Sequence, residues 1–201
     1  MIDDILIIDD VVSKETQDRY ESILLSTRVP WAFFRDIAIP ANDIQKLGIK
    51  KLTPGIGASI IQDNPKYVNQ QLLDEFKTIV YSACTKADLV CRQIVQGRSF
   101  MHFPLAAELR KEYDNIHIDL MTPHTVCLYY VNDSDGDTFI FDKTSNDIKG
   151  RRDIFERTKF NVLKRVTPKK GRVVLFNGNR YHSSSGPTKD VRCIINFDII
   201  T

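Results

Sequence analysis

Several classes of protein are excluded by what this chain of 201 residues lacks. Its four cysteines, Cys84, Cys91, Cys127 and Cys193, form no C-x-x-C pair and no dense array. That excludes a disulfide-stapled secreted scaffold and leaves reduced thiols as the expectation. No apolar run approaches the roughly 18 residues that a membrane helix needs. The opening MIDDILIIDDVV is acidic, has no basic leader and holds only a short apolar run, Ile5 to Ile8, unlike a signal peptide. The expectation is a cytoplasmic protein with no membrane partner. Charge of one sign is also missing: 28 Lys and Arg against 26 Asp and Glu leave +2, so no global field compels a nucleic-acid partner. No repeat, low-complexity tract or linker divides the chain. A hydrophobic fraction of 42% suits one folded domain over 1–201.

What is present changes character near Gly97. Before it, Ser13 is placed to cap a helix to about Thr27, and apolar residues from Asn69 to Cys91 recur at helical spacing. The intervening LTPGIGASI reads as a turn-rich loop. After it come short β-rich runs at 98–103, 115–119, 125–132, 138–142, 161–166, 172–176 and 191–199. Helices first and short strands later predict an α+β, mainly β fold, a sandwich or jelly roll buttressed by N-terminal helices.

Three residues suggest a metal. In NIHIDL, His117 and Asp119 stand two apart, so on a strand both side chains share one face, roughly 6–7 Å apart at Cα. His182 follows the strand RVVLF and its NGNR turn. Two imidazoles and one carboxylate leave metal positions open, which suits non-haem Fe(II). H-x-D alone is common and usually structural; its surroundings discriminate. Arg192 opens VRCIINFDII, a run apolar enough to be a core strand, where a cation needs a partner and an anionic ligand would supply one.

The ordered set of H-x-D, a Y-Y-x-N strand, G-x-T after a polar turn, a P-x-x-G-R strand, a distal His and an Arg ten residues on resembles the 2-oxoglutarate/Fe(II) dioxygenase superfamily, in its prolyl 4-hydroxylase-like branch. The resemblance covers about residues 98–200. It implies a double-stranded β-helix, with 1–97 as helical support and first strands and 98–201 as the catalytic core. It also implies Fe(II) on His117, Asp119 and His182, with 2-oxoglutarate as co-substrate, O2 as oxidant and ascorbate as a possible reductant. Arg192 and Tyr130 match residues that bind the distal carboxylate of 2-oxoglutarate, with core packing the alternative for Tyr130. Two positions depart from the pattern: Ile194, where many members have a small hydroxyl residue, and Phe103, where some have a tyrosine facing the co-substrate.

The leading function implied is hydroxylation of a prolyl or related residue in a peptide or protein. Alternatives on the same scaffold are a small-molecule or free amino-acid hydroxylase and a nucleic-acid demethylase; a non-catalytic, cupin-like metal-binding barrel is the rival of another class. The basic segment 143–172, with eleven Lys and Arg, motivates the nucleic-acid alternative but reads first as a solvated face. His124 reads as an exposed loop histidine, with substrate contact as the alternative. His102 reads as structural, with co-substrate positioning as its alternative. DSDGD, 133–137, lacks the Gly and Glu spacing of a calcium loop and reads as a hairpin turn.

Overall fold

The computed structural model describes residues 2–49, 52–63, 66–148 and 158–201. The centre of the basic segment, 149–157, lies outside the described residues. In chain order the elements are β1 (Leu6–Ile8), α1 (Lys14–Leu24), β2 (Ala32–Phe34), α2 (Ala41–Leu47), β3 (Gly55–Gln62), β4 (Tyr67–Val68) and α3 (Gln70–Lys86). Then come β5 (Gln93–His102), a 3₁₀ turn (Ala107–Leu109), β6 (Thr125–Tyr130), β7 (Thr138–Thr144), β8 (Val162–Val166), β9 (Val173–Asn177), β10 (Arg180–Ser184) and β11 (Arg192–Ile200).

Both main helices start where side chains satisfy free backbone donors. Ser13 Oγ accepts from the Thr16 amide and Asn69 Oδ1 from the Leu72 amide. α3 lays Phe76, Ile79, Val80 and Ala83, all fully buried, against the core. It ends five residues before the expected Cys91, and Asp88 follows in the left-handed region at φ 54°.

The described strands form two antiparallel sheets. The larger runs β1-β9-β6-β11-β5-β3-β2, with β4 on β3; the smaller runs β10-β7-β8. This is the expected α+β, mainly β jelly roll. One sheet face packs on α1 and α3 around Tyr20, Phe76, Tyr129, Ile195 and Phe197; the other faces the smaller sheet through Phe100, Val126, Leu128, Val174 and Phe176.

Three expectations fail locally. LTPGIGASI is no loop: Gly55 opens β3, which pairs with both β5 and β2. Its glycines serve close packing, since a Cβ at Gly57 would lie 2.8 Å from the Phe100 ring. Residues 115–119 form no strand; His117 makes only an isolated bridge to His182. Four of the described basic residues at the end of 143–172 are paired. Lys169 and Arg172 hold Asp9, Lys170 holds Asp18 and Glu21, and Arg165 holds Asp137. Lys169, Lys170 and Arg172 tie the approach to β9 to the N-terminal segment and α1. DSDGD is no hairpin turn: it joins β6 of the larger sheet to β7 of the smaller, and its Asp135 carboxylate accepts from the Thr188 amide at 2.8 Å.

Candidate active site

The metal-ligating candidates meet between the two sheets. The His117 amide donates to the His182 carbonyl at 3.0 Å, and the His182 amide donates back at 2.9 Å. That doubly bonded bridge sets the two rings side by side, with centroids 4.5 Å apart. It does the work that strand alternation was expected to do. The ligand atoms of His117, Asp119 and His182 all lie within 4.8 Å of one another.

The donor chemistry fits a divalent metal. His117 Nδ1 lies 3.0 Å from the Asn115 carbonyl and His182 Nδ1 3.2 Å from the Arg180 carbonyl. A carbonyl only accepts, so each Nδ1 carries its proton and Nε2 is the ring atom left to face a metal. Phe176 packs edge-on against the His182 ring at 5.1 Å. Burial, and then the neighbouring His182, push the His117 pKa down to about 4, so its ring is neutral at physiological pH. Burial would raise the Asp119 pKa, but His182, Arg98 and His117 together hold it well below the usual range. A neutral His117 beside an ionised Asp119 suits metal binding, which needs deprotonated ligands.

Arg192 lies on the wall of the same cavity. It is only 2% exposed, and its partners are neutral: Nε donates to the Gly136 carbonyl and Nη2 to Thr138 Oγ1, both at 2.8 Å. The G-x-T motif is therefore the cradle of this arginine. A Cβ at Gly136 would fall 2.9 Å from Arg192 Cδ, so only glycine admits the side chain. Among the described residues no carboxylate forms an ion pair with Arg192. A buried guanidinium without a counter-charge is costly unless a ligand brings one.

The remaining expectations divide. Tyr130 is fully buried at 0% exposure, and its hydroxyl donates to Thr138 Oγ1 at 2.8 Å. Its ring lies 5.8 Å from the Arg192 guanidinium carbon, but it does not itself line the cavity. Phe103 lies beyond the end of β5 and is 41% exposed. The inward positions of β5 are Arg98, Phe100 and His102, and these line the cavity, as does Ile194. His102 is buried with Nδ1 unpartnered, and burial and then Arg192 depress its pKa well below the ordinary value. His124 is not an exposed loop histidine; it is 1% exposed. Its Nδ1 donates to the Thr122 carbonyl at 2.8 Å, so Nε2 faces Asp198 Oδ1, 3.6 Å away, as a bare lone pair.

Arg98, Asn196, Asp198 and Gln96 went unrecognised in the sequence. Arg98 Nη2 donates to Asp119 Oδ1 at 2.7 Å and Asn196 Nδ2 to Asp119 Oδ2 at 3.1 Å. Gln96 donates to Asp198, whose pKa is driven well above the carboxylate range by burial and then by Asp119. Asp119, His124 and Asp198 form a second donor group of metal-binding size, but Arg98, 2.7 Å from Asp119 and 4.0 Å from Asp198, already places a cation there. The available signal was R-x-I-x-N-x-D in VRCIINFDII, which puts polar groups at alternate positions of an otherwise apolar strand.

Neither a family model nor a curated protein matches the sequence significantly. Solved structures do match the fold. A prolyl hydroxylase from Trichoplax adhaerens, in complex with a hypoxia inducible factor peptide fragment, is 12% identical with a TM-score of 0.59, over 98% of this chain and 83% of its own. An oxidoreductase of the 2OG-Fe(II) oxygenase family from Burkholderia pseudomallei is 10% identical with a TM-score of 0.59, over 97% and 84%. HygX from Streptomyces hygroscopicus, solved with nickel, 2-oxoglutarate and hygromycin B bound, is 14% identical with a TM-score of 0.57, over 97% and 82%. The likeness is one of architecture: this chain has the double-stranded β-helix fold of the 2-oxoglutarate/iron(II) oxygenases.

Proposed function

We propose that the protein is an Fe(II)- and 2-oxoglutarate-dependent dioxygenase that hydroxylates an unactivated C–H bond. One observation carries this reading: a three-donor group, His117, Asp119 and His182, shares a cavity with a buried arginine that has no counter-charge. A purely structural metal site needs no such cation, so the arrangement disfavours a non-catalytic barrel.

In this reading His117 Nε2, a carboxylate oxygen of Asp119 and His182 Nε2 hold the metal on one side. Arg192 pairs with the distal carboxylate of 2-oxoglutarate, with Thr138 fixing the guanidinium and Tyr130 fixing Thr138 from behind. Bound iron with 2-oxoglutarate and O2 supplies the oxidising power, and ascorbate would serve only as an external reductant. The protein's own task is to orient both ligands and keep bulk water from the reacting C–H bond, a task for Phe100, Leu128, Phe176 and Ile194 on the cavity walls.

The substrate belongs to the peptide class, a prolyl or related residue. The cavity holds about 140 Å³, below the roughly 300–1,000 Å³ of sites that enclose a drug-sized molecule. Once the co-substrate fills it, a substrate presents one group at the mouth while its remainder stays outside. An extended peptide does this. A separate open groove, lined by Phe33, Leu52, Pro54, Leu105 and Leu109 with Arg35 and Glu108, would give such a chain a surface to lie on. The second reading, a small-molecule hydroxylase, is favoured by the hygromycin B bound to HygX on the same fold. Succinate release from 2-oxoglutarate with Fe(II), measured with proline-containing peptides and with free amino acids, separates the two. Absence of 2-oxoglutarate binding to the metal-loaded protein would sink both.

A further inference from the structure

We propose that Arg98 and Asn196 are positioning residues that fix which oxygen of Asp119 faces the metal, with Gln96 and Asp198 holding the array from behind. The inference rests on His117, Asp119 and His182 being the metal ligands and adds how the carboxylate among them is oriented.

The register builds the array. On the inner face, β5 and β11 set Gln96 opposite Asp198, Arg98 opposite Asn196 and His102 opposite Arg192. Asp119 hangs from the segment between β5 and β6 with no strand of its own to hold it. Its two oxygens are nonetheless assigned different partners. Oδ1 accepts from Arg98 Nη2 at 2.7 Å. Oδ2 accepts from Asn196 Nδ2 at 3.1 Å and lies 3.3 Å from His182 Nε2, the ring nitrogen turned toward the other ligand atoms. Oδ1 is thus spent on a charge-assisted hydrogen bond, and Oδ2 is left for the metal as a single-oxygen ligand. Arg98 is itself kept in place: Asp198 Oδ2 lies 4.0 Å from Nη2, and Gln96 Nε2 holds that same oxygen at 2.8 Å.

Two effects of Arg98 on a bound metal have opposite signs. Its charge repels a cation, whereas its hydrogen bond orients the carboxylate. If repulsion dominated, removing it would tighten metal binding. If orientation dominates, as proposed, removing it weakens binding and changes the ligand geometry.

Cobalt(II), titrated into the full chain and followed by its visible absorption, reads affinity and geometry together. Arg98→Met is expected to bind roughly 10–100-fold more weakly, the range for partners of metal ligands, with a shifted absorption. Arg98→Lys should recover part of both. Asn196→Ala, which leaves Arg98 in place, should show a smaller fall with a shift in the same direction. Equal or tighter cobalt binding and an unchanged spectrum in Arg98→Met would overturn the proposal. If that variant does not fold, unchanged affinity and spectrum in both Arg98→Lys and Asn196→Ala overturn it instead. A wild-type chain that binds no cobalt would refute the metal site itself, a different failure from variants that bind as the wild type does.

Discussion

The two faces of β11 are almost equally buried and chemically opposite. One carries Cys193, Ile195, Phe197 and Ile199, none more than 1% exposed, in the core shared with α1 and α3. The other carries Arg192, Ile194, Asn196 and Asp198, none more than 6% exposed, and Arg192, Ile194 and Asn196 line the cavity. Burial on the first face stabilises the fold through area removed from water and close packing. Burial on the second desolvates a guanidinium, an amide and a carboxyl, which costs stability unless each group finds a partner. The strand is therefore held in place by one face so that the other can present groups that would not stay buried unaided. Sites of this kind sit where stability and function pull apart.

The largest expected effect breaks the apolar face. Phe197→Ala should cost about 3–5 kcal/mol of unfolding free energy, the range for deleting a buried phenyl ring, read from urea titration. Among molecules that remain folded, metal affinity should change little, because the ring points away from the cavity. Loss of metal binding at unchanged stability would mean that the two faces are not separable.

Next in size is the opposite change on the polar face. Arg192→Met should weaken 2-oxoglutarate binding on the order of 10²–10³-fold, as expected when one partner of a buried charge pair is removed. In ligand-free protein the same substitution should leave the melting temperature unchanged or raise it, since an unpaired buried charge gives way to an apolar side chain of similar length. Calorimetry on the metal-loaded protein and a thermal melt on the ligand-free one read the two arms. A marked fall in the ligand-free melting temperature would show that Gly136 and Thr138 already satisfy the arginine and that no anion is needed.

Much of this contrast was legible in the sequence. Apolar alternation around Arg192 marked a core strand with a misplaced charge, and the residues of the His–Asp–His group stood in an ordered set of motifs. What was illegible had physical causes. Gly55 and Gly57 mark close packing in β3 but look like turn residues, because glycine serves both purposes. His124 sits between turn-forming residues, so its burial depends on the fold bringing Asp198 and the Gly178 backbone against it. Arg98 is 98 residues from Asn196 in sequence, and only the β5–β11 register makes them neighbours. Local patterns record which face a residue takes; they do not record what faces it.

The smallest effect expected is a slope with pH, and it sharpens the comparison because groups on or against the polar face pull in opposite directions. Burial and then His182 hold His117 at about 4, whereas an imidazole in the unfolded chain titrates near 6.5. Its folded pKa is the lower one, so below about 6.5 the unfolded state takes up more protons, and stability falls as pH drops from about 6.5 toward 4. His102, depressed by burial and then by Arg192, has the same sign. Asp198 has the opposite sign. Its folded pKa is raised by burial and then by Asp119, so the folded state holds the proton longer, and stability falls as pH rises above about 4. In metal-free protein the melting temperature should therefore climb from pH 4.5 to 6.5 less steeply than the histidines alone dictate. His117→Gln should flatten the climb, and Asp198→Asn should steepen it. If Asp198→Asn leaves the slope as it was, the carboxyl behind Asp119 is ionised in the folded chain, and the desolvation argued for this face of β11 is wrong at that position.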